Sequence, residues 1–124
     1  MEVIGLGIDA VDIGRFRTVL ARRPGMAERL FTAGERAYAA RQADPAPSLA
    51  ARFAAKEAVM KALGVGIGAI RFTDVEVIRL DSGQPALRLQ GAAAALASNQ
   101  GVGKWLVSLT HTSSLAEAVV AAIP

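Results

Sequence analysis

The sequence predicts an α+β fold: an antiparallel sheet packed on helices, with one long central helix at about 49–63. Apolar residues at helical spacing dominate the first half, whereas short alternating segments separated by turn residues dominate the second. The central segment is rich in alanine and has no clear polar face, which is typical of a helix enclosed by protein. A length of 124 residues without a linker or repeat suits a single domain, 1–124.

The first half is predicted to hold one strand and four helices. Asp12 is a suitable N-cap for the first helix, and Pro24-Gly25 ends that helix. Thr32 and Glu35 fit a capping box, and Ser48 fits as the cap of the central helix. In chain order we predict a strand at 2–9, helices at 13–23 and 26–31, a helix from the capping box to about Gln42, and the central helix ending at Gly64.

The second half is predicted to be mainly β-structure. Its turn signals are the segment DSGQP at 81–85 and the segment HTSS at 111–114. Around them we predict strands at 72–80 and 86–90, a small helix at about 92–100, and a hairpin of 104–110 with 115–123.

Composition narrows the class of protein. Hydrophobic residues make up 52% of the chain and the mean hydropathy is +0.35, so a packed globular protein is expected. Alanine supplies much of that count, so the core is thin for a monomer and an oligomer is expected. The chain has no cysteine, which favours a cytoplasmic location. We expect no membrane span and no signal peptide, because no apolar run is long enough and Glu2 replaces a basic leader.

The net charge of +3 and a pI of about 10.0 favour an acidic partner. That partner could be nucleic acid, an anionic membrane, an acidic protein or a phosphorylated ligand. The basic residues are scattered and aromatic residues are few, so neither a stacking surface nor a polybasic run is present. Nucleic acid is therefore a minor alternative and is not expected as the partner.

Four charges interrupt the apolar central helix. Glu57 and Lys61 have the i,i+4 spacing of a favourable ion pair, whereas Arg52 and Lys56 share that spacing and repel each other unless an anion lies between them. A purely structural explanation is that Glu57 and Lys61 form a surface ion pair, while Arg52 and Lys56 extend their charged ends into solvent. The functional alternative follows because buried charges need partners. An anionic ligand would then neutralise the three cations, and a divalent cation would neutralise Glu57. Lys56 has no clear role in either interpretation.

A cation site needs a second carboxylate, and Asp9 stands at the end of the predicted first strand. Asp12 is better explained as a helix cap. The single histidine, His111, opens the HTSS turn, where phosphate binding, proton transfer and a purely structural role are all open. No zinc spacing, nucleophile elbow or P-loop is present, and GVGIG at 64–68 lacks the spacing of a nucleotide-binding loop.

Three segments together resemble one enzyme family, the holo-acyl-carrier-protein synthases. GIDAVDIGRF at 7–16 is similar to their GxDxVxxxRF signature, and RFAAKEAVMKALG at 52–64 is similar to their helical KE-x-x-x-K signature. VSLTHTSSLAEAVV at 107–120 is similar to their C-terminal S-x-S-H hairpin, with Thr110 where serine is common. SGQP at 82–85 is similar to a G-K-P turn, with Gln84 in place of lysine. The order and separation of these segments fit the family along the whole chain.

The resemblance implies the 4′-phosphopantetheinyl transferase fold. It also implies transfer of the 4′-phosphopantetheine arm of coenzyme A to a serine of apo acyl carrier protein, leaving adenosine 3′,5′-bisphosphate. Coenzyme A would be the substrate and Mg²⁺ the metal, with Mn²⁺ possible. The short form of the family implies a homotrimer with sites between chains. The resemblance leaves open the carrier type (fatty-acid or polyketide), tolerance for acyl-coenzyme A, and the general base.

The resemblance also assigns residues. Asp9 and Glu57 would hold the metal and, with Lys61, form the catalytic group. Arg15, Arg22 and Arg23 would face the acidic carrier protein. The residues expected to bind coenzyme A are Arg52, Lys61, Gly64, Gln84, Pro85, Thr110 and His111, with His111 supplied by the neighbouring chain.

Two alternatives remain at this stage. A non-catalytic trimer could hold a coenzyme or an acidic helix on its basic face, but simple anion binding has no use for two carboxylates. A small nucleic-acid-binding domain would rest on the high pI alone, and its affinity would fall steeply with salt.

Overall fold

The computed structural model describes residues 2–124 and has an α+β architecture, as predicted. The strands are β1 Gly5–Asp12, β2 Val75–Arg79, β3 Pro85–Leu89, β4 Lys104–His111 and β5 Leu115–Ile123. The helices are α1 Ile13–Arg22, α2 Met26–Leu30, α3 Ala33–Ala40, α4 Ala46–Leu63 and α5 Gly91–Asn99. A 3₁₀ turn, Phe72–Asp74, leads into β2. No helix among residues 2–124 combines the length and apolar character needed to cross a bilayer.

Two antiparallel sheets form the β-structure. The larger has the order β1-β5-β4, and the smaller is the β2-β3 hairpin. In the larger sheet Leu6 pairs with Ala121 and Ile8 with Val119, so β5 lies between two edge strands. The N-terminal signature segment therefore includes one edge strand, and the C-terminal signature segment spans the opposite edge strand and the central strand beside it.

Helix α4 packs against the inner face of this sheet and is the centre of the fold. Thirteen of its 18 residues are buried, including Ala54, Ala55 and Ala58 with no exposed surface. A solvated helix would carry polar residues at such positions. The expectation that protein encloses this helix on nearly all sides is confirmed.

Glycine and alanine allow β1 to lie directly on α4. A Cβ atom added at Gly7 would overlap the carbonyl oxygen of Ala58, and one added at Gly5 would overlap that of Ala62. Side chains alternate along a strand, so Asp9 lies on the same face as these glycines and points toward α4. The close approach brings this carboxylate to the helix surface.

The other face of the larger sheet is apolar and exposed. Leu6, Ile8 and Leu106 have relative exposures of 66%, 64% and 49%, and Val119 of 38%. The register places these side chains in adjacent rows across the three strands.

Several predicted boundaries were wrong. The first strand is 5–12 rather than 2–9, because Asp9 and its neighbours continue the pairing with β5. The central helix begins at Ala46, not after Ser48, because Pro47 fits the first helical turn, where proline is tolerated. The segment predicted as a strand at 72–80 starts with the 3₁₀ turn. The caps at Asp12 and Thr32 are confirmed, with Arg15 N to Asp12 Oδ1 at 2.7 Å and a complete capping box at Thr32.

Candidate functional site

Two carboxylates and an ammonium group meet where β1 lies on α4. Lys61 Nζ donates to the backbone oxygen of Ile8 at 2.9 Å and to Asp9 Oδ1 at 3.1 Å. The Asp9 side chain is 15% exposed and that of Lys61 is 55% exposed, so the group opens to solvent on the lysine side. The pairing of Lys61 with Glu57 predicted from their spacing was wrong, because Lys61 reaches across to the strand instead.

Glu57 lies one helical turn before Lys61 and carries an unbalanced negative charge. Partial burial raises the pKa of Glu57 above its ordinary value, and the charge of Asp9 raises this pKa further. Lys61 opposes both effects, yet the net direction remains upward. Among residues 2–124, Glu57 has no cation within ion-pair distance. The site therefore has one more negative charge than the chain itself neutralises.

This donor set fits a hard divalent cation. Carboxylate oxygens are the ligands that Mg²⁺ prefers, and a second positive charge would remove the repulsion that raises the pKa of Glu57. Within residues 2–124, no group of three acidic, histidine or cysteine side chains converges. Asp9 and Glu57 could thus fill only part of a coordination shell, and phosphate or water oxygens would have to complete it.

A second feature is a cleft of about 1000 Å³ at the opposite edge of the larger sheet. Strand β4, the β2-β3 hairpin and the first turns of α4 form its walls. Five of the residues expected to bind coenzyme A line this one cleft: Arg52, Gln84, Pro85, Thr110 and His111. Lys61 instead lies with Asp9, and Gly64 ends α4 with a left-handed φ of 74°. The structure thus divides the predicted residues between two edges.

The guanidinium group of Arg52 forms part of the cleft wall. Its Nη1 donates to Ser48 Oγ at 2.7 Å, and its carbon Cζ lies 4.3 Å from the centre of the Tyr38 ring. Arg52 is only 6% exposed, and its Nε is buried without a partner among the described residues. Burial lowers the pKa of Arg52, and the nearby charge of Glu35 opposes that effect. A buried donor with spare capacity suits an anionic ligand.

The three arginines expected to meet a carrier protein lie on or just after α1, and all are exposed. Arg15 and Arg22 are seven residues apart and share one helix face, and Arg23 follows as the C-cap residue. They lie away from the cleft wall.

Lys56 has a structural role that the sequence did not reveal. Its Nζ is fully buried and donates to Glu35 Oε1 at 2.7 Å, to the backbone oxygen of Phe72 at 2.9 Å and to that of Val75. The other carboxylate oxygen, Glu35 Oε2, accepts from Val77 N at 2.9 Å. Lys56 is therefore not an extended surface cation, which was the purely structural explanation for the charges of this helix. The anion required near Arg52 and Lys56 is Glu35 of the same chain.

Sequence reasoning missed three cleft residues, Tyr38, Arg79 and Lys104. A signal for Arg79 was present, since the turn at 81–85 fixes the hairpin register and pairs Arg79 with Pro85. Tyr38 lies on α3, which carried no functional motif, and its position depends on how α3 packs on α4.

Comparisons with known proteins identify the family of this chain. Residues 5–122 match the family model of the 4′-phosphopantetheinyl transferase superfamily. Holo-acyl-carrier-protein synthase of Streptomyces avermitilis is 51% identical over 122 residues, covering 98% of each chain. The crystal structure of the Neisseria meningitidis synthase matches with a TM-score of 0.90 at 29% identity, covering 99% of this chain and 100% of that one.

A further solved structure is the Bacillus anthracis synthase in complex with coenzyme A (3′,5′-ADP). It matches with a TM-score of 0.81 at 32% identity, covering 97% of this chain and 96% of that one. The similarities extend over nearly the whole chain, and they include both edges of the sheet that hold the candidate site residues. The chain therefore belongs to the holo-acyl-carrier-protein synthases of the 4′-phosphopantetheinyl transferase superfamily.

Proposed function

We propose that this protein transfers the 4′-phosphopantetheine arm of coenzyme A to a serine of apo acyl carrier protein. The observation that carries the proposal is the convergence of Asp9, Glu57 and Lys61 where β1 meets α4. A protein that only binds an anion has no use for two carboxylates at the same place. Coenzyme A is present in the solved structure of the Bacillus anthracis relative, and carrier-protein modification is named for the relatives.

The cleft at the β4 edge suits the nucleotide end of the coenzyme. Arg52 offers an unused buried donor, and Thr110 and His111, at the end of β4, line the same cleft. Pro85 and Gln84 form part of the hairpin wall. We assign the 3′-phosphate and adenosine of coenzyme A to this cleft, since a phosphate gains most from charge-assisted hydrogen bonds.

The reaction would take place at the β1 edge of the larger sheet, where Asp9, Glu57 and Lys61 supply the charged groups. The carrier serine Oγ attacks the phosphorus atom that bears the pantetheine arm, and the bond from that phosphorus to the bridging oxygen breaks. Adenosine 3′,5′-bisphosphate leaves with the electron pair, and negative charge builds on the phosphate oxygens. Lys61 stabilises this charge, and Gly64 lets the chain turn away at the end of α4. A water held by the carboxylates accepts the serine proton, because a carboxylate engaged with a metal is a weak base.

Asp9 and Glu57 would hold Mg²⁺, with Mn²⁺ as an alternative of similar ligand preference. When bound, the metal would neutralise charge on the pyrophosphate of coenzyme A. The raised pKa of Glu57 supports this assignment, because the protein alone leaves that carboxylate repelled by Asp9.

The two parts of the site lie at opposite edges of the larger sheet, with β5 between them. One chain alone would therefore hold the two ends of the coenzyme on different sides. The exposed outer face of the larger sheet could pack against a second copy of the chain, and it carries the apolar side chains of Leu6, Ile8, Leu106 and Val119. A homotrimer in which the β4 edge of one chain meets the β1 edge of its neighbour would complete each site. We also place the reaction in the cytoplasm, in keeping with a cysteine-free chain.

The carrier protein would approach the exposed arginines of α1. Arg15, Arg22 and Arg23 form a basic surface that is complementary to an acidic helix. This surface begins directly after β1, so a carrier bound there could reach the Asp9 site.

The activity is tested by incubating the protein with coenzyme A, Mg²⁺ and each of several apo acyl carrier proteins. The intact mass of each carrier protein is then measured by mass spectrometry. We expect the mass of one phosphopantetheine arm to be added. Glu57→Gln should abolish this gain while the far-ultraviolet circular dichroism stays unchanged. Glu28→Gln, at an exposed position of α2, is the matched control and should retain activity. Full activity of Glu57→Gln at saturating Mg²⁺ would show that the metal assignment is wrong, and no transfer to any carrier would contradict the function.

The shared site is tested by sedimentation velocity. Ile8→Asp places a charge on the apolar sheet face and should convert the trimer to smaller species without transfer activity. Ile67→Asp changes a residue that is 73% exposed but lies outside the sheet, so it should leave the trimer intact. A monomeric wild-type protein that is fully active would contradict the shared site.

A further inference from the structure

Tyr38 lies at the centre of a group of arginine side chains in the cleft wall. Arg52 Cζ is 4.3 Å from the centre of the Tyr38 ring, and Arg79 Cζ is 5.5 Å from it. The guanidinium of Arg79 also donates a hydrogen bond to the phenol oxygen of Tyr38. A planar guanidinium over an aromatic face is attracted to it and held in orientation. One aromatic side chain thus contacts both cations.

The remaining contacts of the two arginines fix them further. Arg52 is anchored by Ser48, and Arg79 Nε donates to the backbone oxygen of Gly83 at 2.9 Å. Gly83 belongs to the hairpin turn that carries Gln84 into the cleft wall. Tyr38 therefore links the first turns of α4 to the β2-β3 hairpin through two cations.

The cleft has little negative charge to satisfy these cations. Arg52 is only 6% exposed, and its Nε is buried with no hydrogen-bond partner among the described residues. The acidic side chain in the cleft wall, Asp44, is already engaged by both terminal nitrogens of Arg17 at 2.7 and 2.8 Å. The charge of Glu35 acts on Arg52 from a distance, but among residues 2–124 neither Arg52 nor Arg79 has a carboxylate within ion-pair distance. Two oriented guanidinium groups without a direct carboxylate partner are suited to a dianionic phosphate.

We propose that Tyr38 is a positioning residue that holds Arg52 and Arg79 as a two-arginine clamp for the 3′-phosphate of coenzyme A. The proposal rests on the function proposed above, and it adds Arg79 as a phosphate ligand and Tyr38 as the group that orients both cations. The clamp makes the enzyme select coenzyme A over 3′-dephospho-coenzyme A, because the second substrate lacks the group that the two arginines bind.

The test compares the two substrates in the same transfer assay with one apo acyl carrier protein. For each variant, kcat and KM are measured with coenzyme A and with 3′-dephospho-coenzyme A. The ratio of the two kcat/KM values reports selection for the 3′-phosphate. A merely structural role of Tyr38 would lower both kcat/KM values together and leave their ratio unchanged.

We expect Tyr38→Leu to lower this ratio about tenfold, the size of one charge-assisted hydrogen bond, and to act through KM for coenzyme A. Tyr38→Phe keeps the ring beneath Arg52 but loses the hydroxyl that Arg79 contacts, so a loss of about threefold is expected. Arg79→Gln should lower the ratio at least as much as Tyr38→Phe.

Arg41→Gln is the matched control. Arg41 Cζ is also 5.5 Å from the Tyr38 ring, but Arg41 does not line the cleft, so the ratio should not change. If the wild-type enzyme uses both substrates equally well, the assignment of the 3′-phosphate to this cleft fails. If the wild type prefers coenzyme A and Tyr38→Leu retains that preference, the role of Tyr38 alone is refuted. Absence of any transfer by the wild type would instead contradict the proposed function.

Discussion

Replacing Lys56 with methionine removes the ammonium group that pairs with the buried Glu35 carboxylate. Both side chains are fully buried, and their atoms Nζ and Oε1 are 2.7 Å apart. Methionine fills a similar volume but has no donor. The substitution therefore leaves Glu35 as a buried charge next to an apolar side chain.

The expected cost follows from these contacts. Removing one partner of a buried ion pair costs about 3–5 kcal/mol, because the remaining charge stays desolvated. Two backbone oxygens, of Phe72 and Val75, lose a donor as well, at about 1 kcal/mol per hydrogen bond. The terms overlap, and protonation of Glu35 offsets part of them, so we expect a loss of about 4 kcal/mol. That is a large share of the roughly 5–15 kcal/mol that stabilises a domain.

Urea unfolding at pH 7, followed by circular dichroism at fixed protein concentration, measures this loss. The matched control is Lys61→Met, on the same helix. The Lys61 side chain is 55% exposed, so its ion pair should contribute at most about 1 kcal/mol. The double variant Lys56→Met/Glu35→Gln should lose less than the sum of its single variants by about 2 kcal/mol. A cost of Lys56→Met no greater than that of Lys61→Met, or strictly additive single variants, would refute this reasoning.

Three further predictions concern stability and charge. In thermal unfolding, Gly7→Ala should cost about 3 kcal/mol, because its Cβ would overlap the backbone of Ala58, and a neutral result would refute that contact. Gly14→Ala, on exposed α1 with room for a Cβ, should instead stabilise by about 0.5 kcal/mol. The pKa of Glu57 is higher in the folded than in the unfolded protein, so folding disfavours the ionised form of this carboxyl. Without metal, the free energy of unfolding should therefore fall as the pH rises from the ordinary pKa to the raised pKa. In the presence of a chelator at pH 7, Glu57→Gln should therefore have a higher urea midpoint than the wild type. This difference in midpoint should shrink at pH values below the ordinary pKa of Glu57. Equal midpoints at pH 7 would contradict the prediction.

Local signals predicted the elements of the fold well. The caps at Asp12 and Thr32, the αL glycine at 64 and the hairpin turns are all determined by neighbouring residues, so they could be inferred from short segments. The register of β1 could not, because its start depends on pairing with β5 more than a hundred residues later. Non-local pairing also explains why the strand extends to Asp12, a residue whose own preference is to cap a helix.

The site could be predicted only as far as its motifs. Asp9, Glu57 and Lys61 were found because each belongs to a signature segment, but their mutual contacts depend on the packing of β1 on α4. The interpretation of Lys61 as the partner of Glu57 followed helix spacing, and it failed because Asp9 across the interface offers a better-placed oxygen. Tyr38 was missed for the same reason, since only the packing of α3 on α4 brings it to Arg52.

The adjacent residues Lys56 and Glu57 show how one helix serves both folding and chemistry. Successive residues are about 100° apart on a helix, so when Lys56 is held toward Glu35 and β2, Glu57 must turn toward the neighbouring side, where β1 lies. The three hydrogen bonds of Lys56 fix the rotation of α4 about its axis. Any rotation of the helix that would move Glu57 away from Asp9 would also break a fully buried ion pair. The buried contacts of Lys56 therefore keep the two repelling carboxylates of Asp9 and Glu57 close together, which a cation extended into solvent could not do.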